Sequence, residues 1–302
     1  MRLSRAAVLL VLLLGCPTRA SAWGFVAHRI ITDNAARGMP EPLASFYAAV
    51  AADLSDASIQ PDSALRAAEG DAEARRHYID LEELGEPPYR DLPATEQEAR
   101  DRFGDRAVEG AGLLPWRVGQ VHARLARAFK DRDRQQAITM SGWLSHYVAD
   151  AHQPLHTTRN HDGQETCNTG VHAAFESDMV DRRKARYRLG TELPRGFAPQ
   201  RIVDATRFIL ERIAESHRGV ADLLMADTQA VLAVKRRGLD YYEQMEARAG
   251  PLARRQMAAA VAAVASLWHS AWMDAGMPDP PAVAGVPAGA GARSRPVKGA
   301  RP

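Results

Sequence analysis

The chain predicts an all-α protein, and three observations carry that prediction. Apolar residues recur three or four apart over most of the 302 residues. Alternating runs of strand type are scarce, and there is neither an internal repeat nor a second domain boundary. A single multi-helix domain over residues 23–277 is the economical reading.

The first element stands outside that fold. Arg2 and Arg5 precede an apolar run from Ala6 to Leu14, and Ala20 and Ala22 occupy the small-residue positions before Trp23. This order predicts a secretory signal peptide over residues 1–22, and hence export to a periplasm or the medium. The run is shorter than the roughly 20 residues a bilayer core requires, and no later segment is long and apolar enough, so no transmembrane segment is expected. Leu13-Leu14-Gly15-Cys16 also resembles a bacterial lipoprotein site, which would anchor the chain through Cys16 and leave Trp23 internal. Cleavage after Ala22 would instead make Trp23 the amino terminus, with a free α-amine.

Helix-period patterns then run over Ala27 to Val50, Val118 to Lys130, Ala137 to Ala151, Val171 to Arg186, Gln200 to Arg236 and Leu252 to Trp272. Between Asp80 and Gly112 the chain is charged, with Pro87-Pro88 and several glycines, and predicts a long surface excursion carrying a short helix at most. Residues 278–302 hold Pro, Ala, Gly and Arg without periodicity and predict a disordered tail.

Without residues 1–22 the chain has 36 basic and 37 acidic residues, and the body from Trp23 to Met277 has 32 and 36. That balance offers no overall electrostatic grip on polyanions. Cys16 would leave with the signal, so Cys167 has no intramolecular partner, and core burial and metal must stabilise an exported chain.

The density of ligand-type residues is higher than a helical fold needs. His146 and Asp150 lie four apart and share one helix face, Pro154 ends that helix, and His156 follows in the turn. His172 and Glu176 repeat the four-residue spacing. Imidazole with carboxylate suits zinc, whereas all-oxygen sites suit magnesium or calcium. Upstream, His77 is an isolated candidate, and Asp53, Asp56 and Asp62 stand equal as carboxylates on local grounds.

Taken in order, Trp23-x4-His28, Asp62-x14-His77, His146-x3-Asp150-x5-His156 and His172-x3-Glu176 resemble the ligand set of zinc-dependent phospholipase C and its relatives, the fungal-type single-strand-specific zinc nucleases. The match spans Trp23 to Glu176. The resemblance implies an all-α fold with three zinc ions in one cleft. Asp62, His77, His146 and Asp150 would hold one ion. The amine and carbonyl of Trp23, His28 and the other oxygen of Asp150 would hold a second, and His156, His172 and Glu176 a third. A free α-amine has a pKa near ~8, so a metal can displace its proton at neutral pH. Asp62 is the candidate catalytic carboxylate, orienting water or accepting its proton.

The implied activity is phosphodiester hydrolysis, on phospholipid or on single-stranded nucleic acid, with no obligate protein partner evident. Glu176, where the nucleases usually place an aspartate, leans the expectation toward phospholipid. So does Leu65, where the nucleases tend to carry an arginine three residues beyond the aspartate; here Arg66 comes one position later. Tyr78 and Asp80 are candidate substrate-binding residues, matching positions where the nuclease branch stacks and hydrogen-bonds a base. A non-catalytic zinc-stabilised envelope protein is the remaining class. Three ligands at the third site, rather than four, favour a catalytic centre with an open position.

Overall fold

The computed structural model describes residues 23–282. The expected signal peptide and residues 283–302 of the expected tail lie outside the described residues. Among those described, helices connected by turns account for the regular structure and no strand occurs. The chain is all-α, as the periodicity predicts.

The first helix, Phe25–Arg37, buries Ala27, His28, Ile30, Ile31 and Ala35 on one face. The expected run to Val50 is interrupted because Pro40 and Pro42 cannot continue a helix, and the chain restarts as Leu43–Ala49 and Ala51–Ala57. Two long helices follow at the centre. Leu114–Lys130 begins with Pro115 in its first turn, where a missing N–H costs nothing. Arg134–Ala151 is capped by Asp133, which accepts from the Gln136 amide at 3.0 Å. Its last seven residues, Ser145 to Ala151, are all buried, so the candidate ligands His146 and Asp150 sit inside the protein rather than on a solvated face.

Three expectations need correction. The excursion from Asp80 to Gly112 holds two helices, Glu96–Phe103 and Asp105–Ala111, and a short 3-10 turn at Leu81–Glu83. The first of these is launched by a capping box in which Thr95 and Glu98 satisfy each other's backbone amides. The pattern from Gln200 to Arg236 divides at Arg218–Gly219 into Ala205–His217 and Val220–Val234. The final helix is longer than expected, Leu239–Asp274, and runs through Pro251. Pro251 and Ala247, whose carbonyl would have accepted the missing N–H, are both exposed, so water takes that acceptor.

The buried apolar side chains form one cluster from Trp23 to Ala271. Its centre joins three parts of the sequence. Tyr47 stacks on Trp268 at 4.4 Å, the Trp268 indole donates to the Ser141 carbonyl at 3.0 Å, and the Tyr47 hydroxyl meets Ser141 Oγ at 3.0 Å. Thr32 and Ser145, 2.7 Å apart, then fix the first helix against the helix carrying His146.

Candidate metal centre

His28 and His146 project from those two helices and stack ring on ring, with centroids 3.8 Å apart. Asp150 lies one turn beyond His146, and its two oxygens face different histidines. Oδ1 is 3.5 Å from His28 Nε2, while Oδ2 is 3.0 Å from His77 Nδ1 and 3.4 Å from His146 Nε2. Asp62 completes the group: its Oδ1 lies 3.5 Å from His77 Nδ1, and its Oδ2 lies 4.0 Å from His28 and 3.9 Å from His146. Two overlapping donor groups result, His28–His146–Asp150 and Asp62–His77–His146.

A third group, His156–His172–Glu176, is equally compact. Its two Nε2 atoms are 3.1 Å apart, and Glu176 Oε2 is 2.8 Å from His172 and 3.7 Å from His156. The third group and the paired one are clamped together through backbone. His156 Nδ1 donates to the His77 carbonyl at 2.5 Å, and the Ile79 amide donates to the His156 carbonyl at 2.9 Å.

The hydrogen bonds behind the rings show that these donors fit a cation. His146 Nδ1 donates to the Ser58 carbonyl at 2.8 Å, His172 Nδ1 to the His161 carbonyl at 2.9 Å, and His156 Nδ1 to the His77 carbonyl. A neutral ring that donates at Nδ1 carries a lone pair at Nε2. His156 and His172 therefore aim lone pairs at each other across 3.1 Å, beside a carboxylate. His77 is turned the other way, with Nε2 3.3 Å from Glu73 and Nδ1 3.1 Å from His146 Nε2. Facing lone pairs repel unless a positive charge lies between them. His28 Nε2 and Asp150 Oδ1 are buried without a hydrogen-bond partner, which a shared cation would also satisfy.

The titration behaviour agrees. Burial, with His146 and His77 nearby, drives His28 well below the ordinary histidine range, and burial pushes His172 down to about 4. Burial also lifts Glu176 to about 8. His77 goes the other way: burial opposes its charge, but hydrogen bonds to Asp150 and Glu73 outweigh it and hold the ring up at about 9. The paired group thus draws a proton where a cation would stand.

Two neighbours escape sequence reading. Glu73 is fully buried yet ionised, because donors from His77, Tyr147 and Arg76 overcome its burial and hold it down at about 2. Its carboxylate lies 3.3 Å from His77 Nε2, and its only sequence signal is a position four residues before that histidine. Gln153 Nε2 lies 3.2 Å from His172 Nε2 and 3.1 Å from Glu176 Oε2, so its amide touches the third group directly.

Asp62 and Glu176 each lie in a five-residue π-helix, Pro61–Leu65 and Ala174–Asp178. Such turns concentrate at functional sites. The first bears on the displaced arginine. A π turn takes roughly 4.4 residues, so four steps from Asp62 sweep about 330°, near the roughly 300° of three α-helical steps and short of the roughly 400° of four. On ideal helix geometry Arg66 would thereby take nearly the direction that an arginine at position 65 would have on an α-helix.

Trp23 is fully buried, its indole 5.4 Å from the Phe175 ring, and Gly24 beside it has no room for a side chain because Ser177 Oγ would lie 2.6 Å from a Cβ. Tyr78 is half-buried against Gly112, where a φ of +100° and a Tyr78 ring that would lie 2.8 Å from an added Cβ both require glycine. Asp80 is pushed up to about 7 by burial and by Glu82 and Glu83, and lines a cleft of about 550 Å³ with Phe103 and Arg106. His152 is structural, donating to the Val148 carbonyl at 2.7 Å, and His161 acts on the third group through its carbonyl. Asp53 and Asp56 stand elsewhere, paired with Arg134 and Arg29.

Fold and site together define an all-α protein of metalloenzyme type, with histidine and carboxylate donors gathered from separate helices. The S1/P1 nuclease family matches residues 23–193, and the chain belongs to that family. A curated relative, a probable serine protease of Bradyrhizobium tropiciagri, is 28% identical over an alignment of 192 residues that covers 54% of this chain and 24% of that protein. Among solved structures, the alpha toxin of Clostridium absonum is similar over 85% of this chain and 65% of its own, with 13% identity and a TM-score of 0.49. An alpha-toxin of Clostridium perfringens from an avian strain is similar over 86% and 66%, with 13% identity and a TM-score of 0.48. The chain therefore spans about a quarter of the curated relative and about two thirds of each toxin.

Proposed function

We propose that this protein is an exported zinc-dependent phosphodiester hydrolase acting on single-stranded nucleic acid. The observation that carries the reading is the convergence of histidine lone pairs and carboxylates in three buried groups, two of them sharing His146. Nitrogen and carboxylate donors suit zinc, and three groups suit three ions. When bound, zinc supplies Lewis-acid polarisation of the phosphoryl oxygens and favours the ionisation of water.

The chain's own residues do the rest. Asp150 spans the paired groups and keeps His28 and His77 at a fixed separation. Asp62, at the same place, orients the attacking water or accepts its proton. Glu73 holds His77 with Nδ1 inward. Burial excludes competing water from the donors. Cleavage after Ala22 would put the free amine of Trp23 near His28, and an extra residue before Trp23 is expected to lower zinc content while leaving the fold intact.

Nucleic acid takes precedence over phospholipid for two reasons. The matching family is a nuclease family, and the π-turn returns Arg66 toward the direction whose vacancy at Leu65 had counted against a nuclease. Tyr78 then offers a ring and Asp80 an acceptor for a base beside the centre. Glu176 supports phospholipid as the second reading. The test is turnover of single-stranded DNA, phosphatidylcholine vesicles and an aryl phosphodiester by zinc-loaded protein beginning at Trp23, with a chelated control. Chelator-sensitive DNA cleavage exceeding vesicle hydrolysis is expected. Phosphocholine release alone would establish the lipid reading, and chelator-insensitive turnover would overturn both.

A further inference from the structure

Beyond the metal groups, the segment from Pro88 to Leu92 and the helix Ala205–His217 enclose a cleft of about 370 Å³. Four arginines line it: Arg90 on one wall, Arg207 and Arg212 on the helix, and Arg218 at the helix end. The two acidic residues present, Glu211 and Glu215, are both engaged by Arg212, at 3.5 and 2.9 Å. Arg90, Arg207 and Arg218 form no ion pair within 4 Å among the described residues. Arg207 instead fixes the opposite wall by donating to the Leu92 carbonyl at 3.1 Å. In a body with fewer basic than acidic residues, a cleft whose four guanidinium groups exceed its two carboxylates by two charges is a local concentration of positive charge.

The cleft is joined to the third group by two contacts. Tyr89, which lines it, meets the His217 ring edge-on at 5.1 Å. His217 Nδ1 in turn lies 3.0 Å from the Thr157 carbonyl, one residue beyond His156. From these features, and resting on the nucleic-acid reading above, we propose that this cleft is a flanking subsite that grips the phosphates of a single strand whose scissile bond lies at the metal groups.

The chemistry favours a strand over a membrane. Guanidinium forks bind phosphate bidentately, and a positively charged groove that tracks the backbone is the pattern of single-strand binding. None of the exposed large apolar side chains, such as Leu189, Val203 or Leu232, lines the cleft, so nothing there would enter a bilayer.

The experiment compares wild type with Arg90→Ala/Arg218→Ala, which spares Arg207 and Arg212 and their structural bonds. Substrates are a dinucleotide, a 20-nucleotide single strand and an aryl phosphodiester, each over a salt series; binding to phosphatidylglycerol vesicles is measured alongside. The expected result is a several-fold rise in KM for the 20-mer that exceeds any change on the dinucleotide or aryl diester. The salt slope of log kcat/KM for the 20-mer should also fall by about 1.4, at roughly 0.7 per phosphate contact on single strands. Equal changes on all three substrates, or an unchanged 20-mer, would overturn the subsite while leaving a nuclease intact. Loss of vesicle binding with an unchanged 20-mer would reassign the cleft to lipid. A wild type that cleaves the aryl diester but no nucleic acid would overturn the underlying reading and the subsite with it.

Discussion

The paired donor group and the third donor group use the same residue types but are held in different ways. His28, His146 and Asp150 come from two long helices locked by the Thr32–Ser145 contact and buried on every side. His156, His172 and Glu176 come from a 3-10 turn, a three-residue helix and a π-helix, joined by the loop from Thr158 to Gly170. That loop is set by polar contacts. Asp162 accepts from the Gly170 and His172 amides, and Asn168 is tied to buried Asp227, which Arg237 and Tyr241 also engage. Packed helices fix His28, His146 and Asp150, with Asp62 brought in by its π-helix, and a hydrogen-bonded knot fixes the third group. Loosening the knot should therefore reach the third group first and the paired group only through the His77–His156 backbone clamp.

The largest separation is expected from the carboxylates themselves. Asp150→Asn removes a charge that faces His28 through one oxygen and His77 and His146 through the other, so metal content should fall by more than in Glu176→Gln. Activity should drop by about two orders of magnitude or more, the scale of losing a transition-state electrostatic contact. Metal analysis with kinetics on an aryl phosphodiester checks this; equal metal loss in the two variants would erase the distinction.

A smaller effect is expected behind His77. Glu73→Gln keeps the shape but weakens the anion that orients the ring, and zinc affinity at the paired group should fall by about 10- to 100-fold, read by chelator competition. Glu73→Asp should recover part of it. Affinity at the third group should not move.

Smaller again is Asp227→Asn, which loosens the knot at a cost of about 1–3 kcal/mol and should lower occupancy of the third group before that of the paired one. The control is Asp56→Asn. Its exposed pair with Arg29 at 2.9 Å contributes no more than about 1 kcal/mol, and metal content should stay at the wild-type level.

The all-α class and the ligand side chains were legible because four-residue spacings and a proline-terminated helix are local signals. His146 with Asp150, and His172 with Glu176, meet as the spacing implies. Asp62 was not separable from Asp53 and Asp56 by local pattern, since nothing in Pro61–Leu65 announces a π turn; the resemblance selected it, and the structure brings it to the centre. Glu73 and Gln153 were illegible because their roles arise from contacts across the fold. Thr95-x-x-Glu98, by contrast, was a local capping signal that charge and proline content obscured. The basic cleft was invisible to a charge balance that averages over the whole body.

The π-turn beneath Asp62 also makes chain length a variable of the site. A π turn is an α-helix holding one surplus residue, so deleting exposed Ser63 would let the segment relax to ordinary helix with Asp62 and Arg66 three α-helical steps apart, close to their present relation. Every residue with a chemical role would survive that deletion. The geometry at this point is encoded by counting, and a one-residue gap there can leave the centre standing where replacing a carboxylate or a histidine would not.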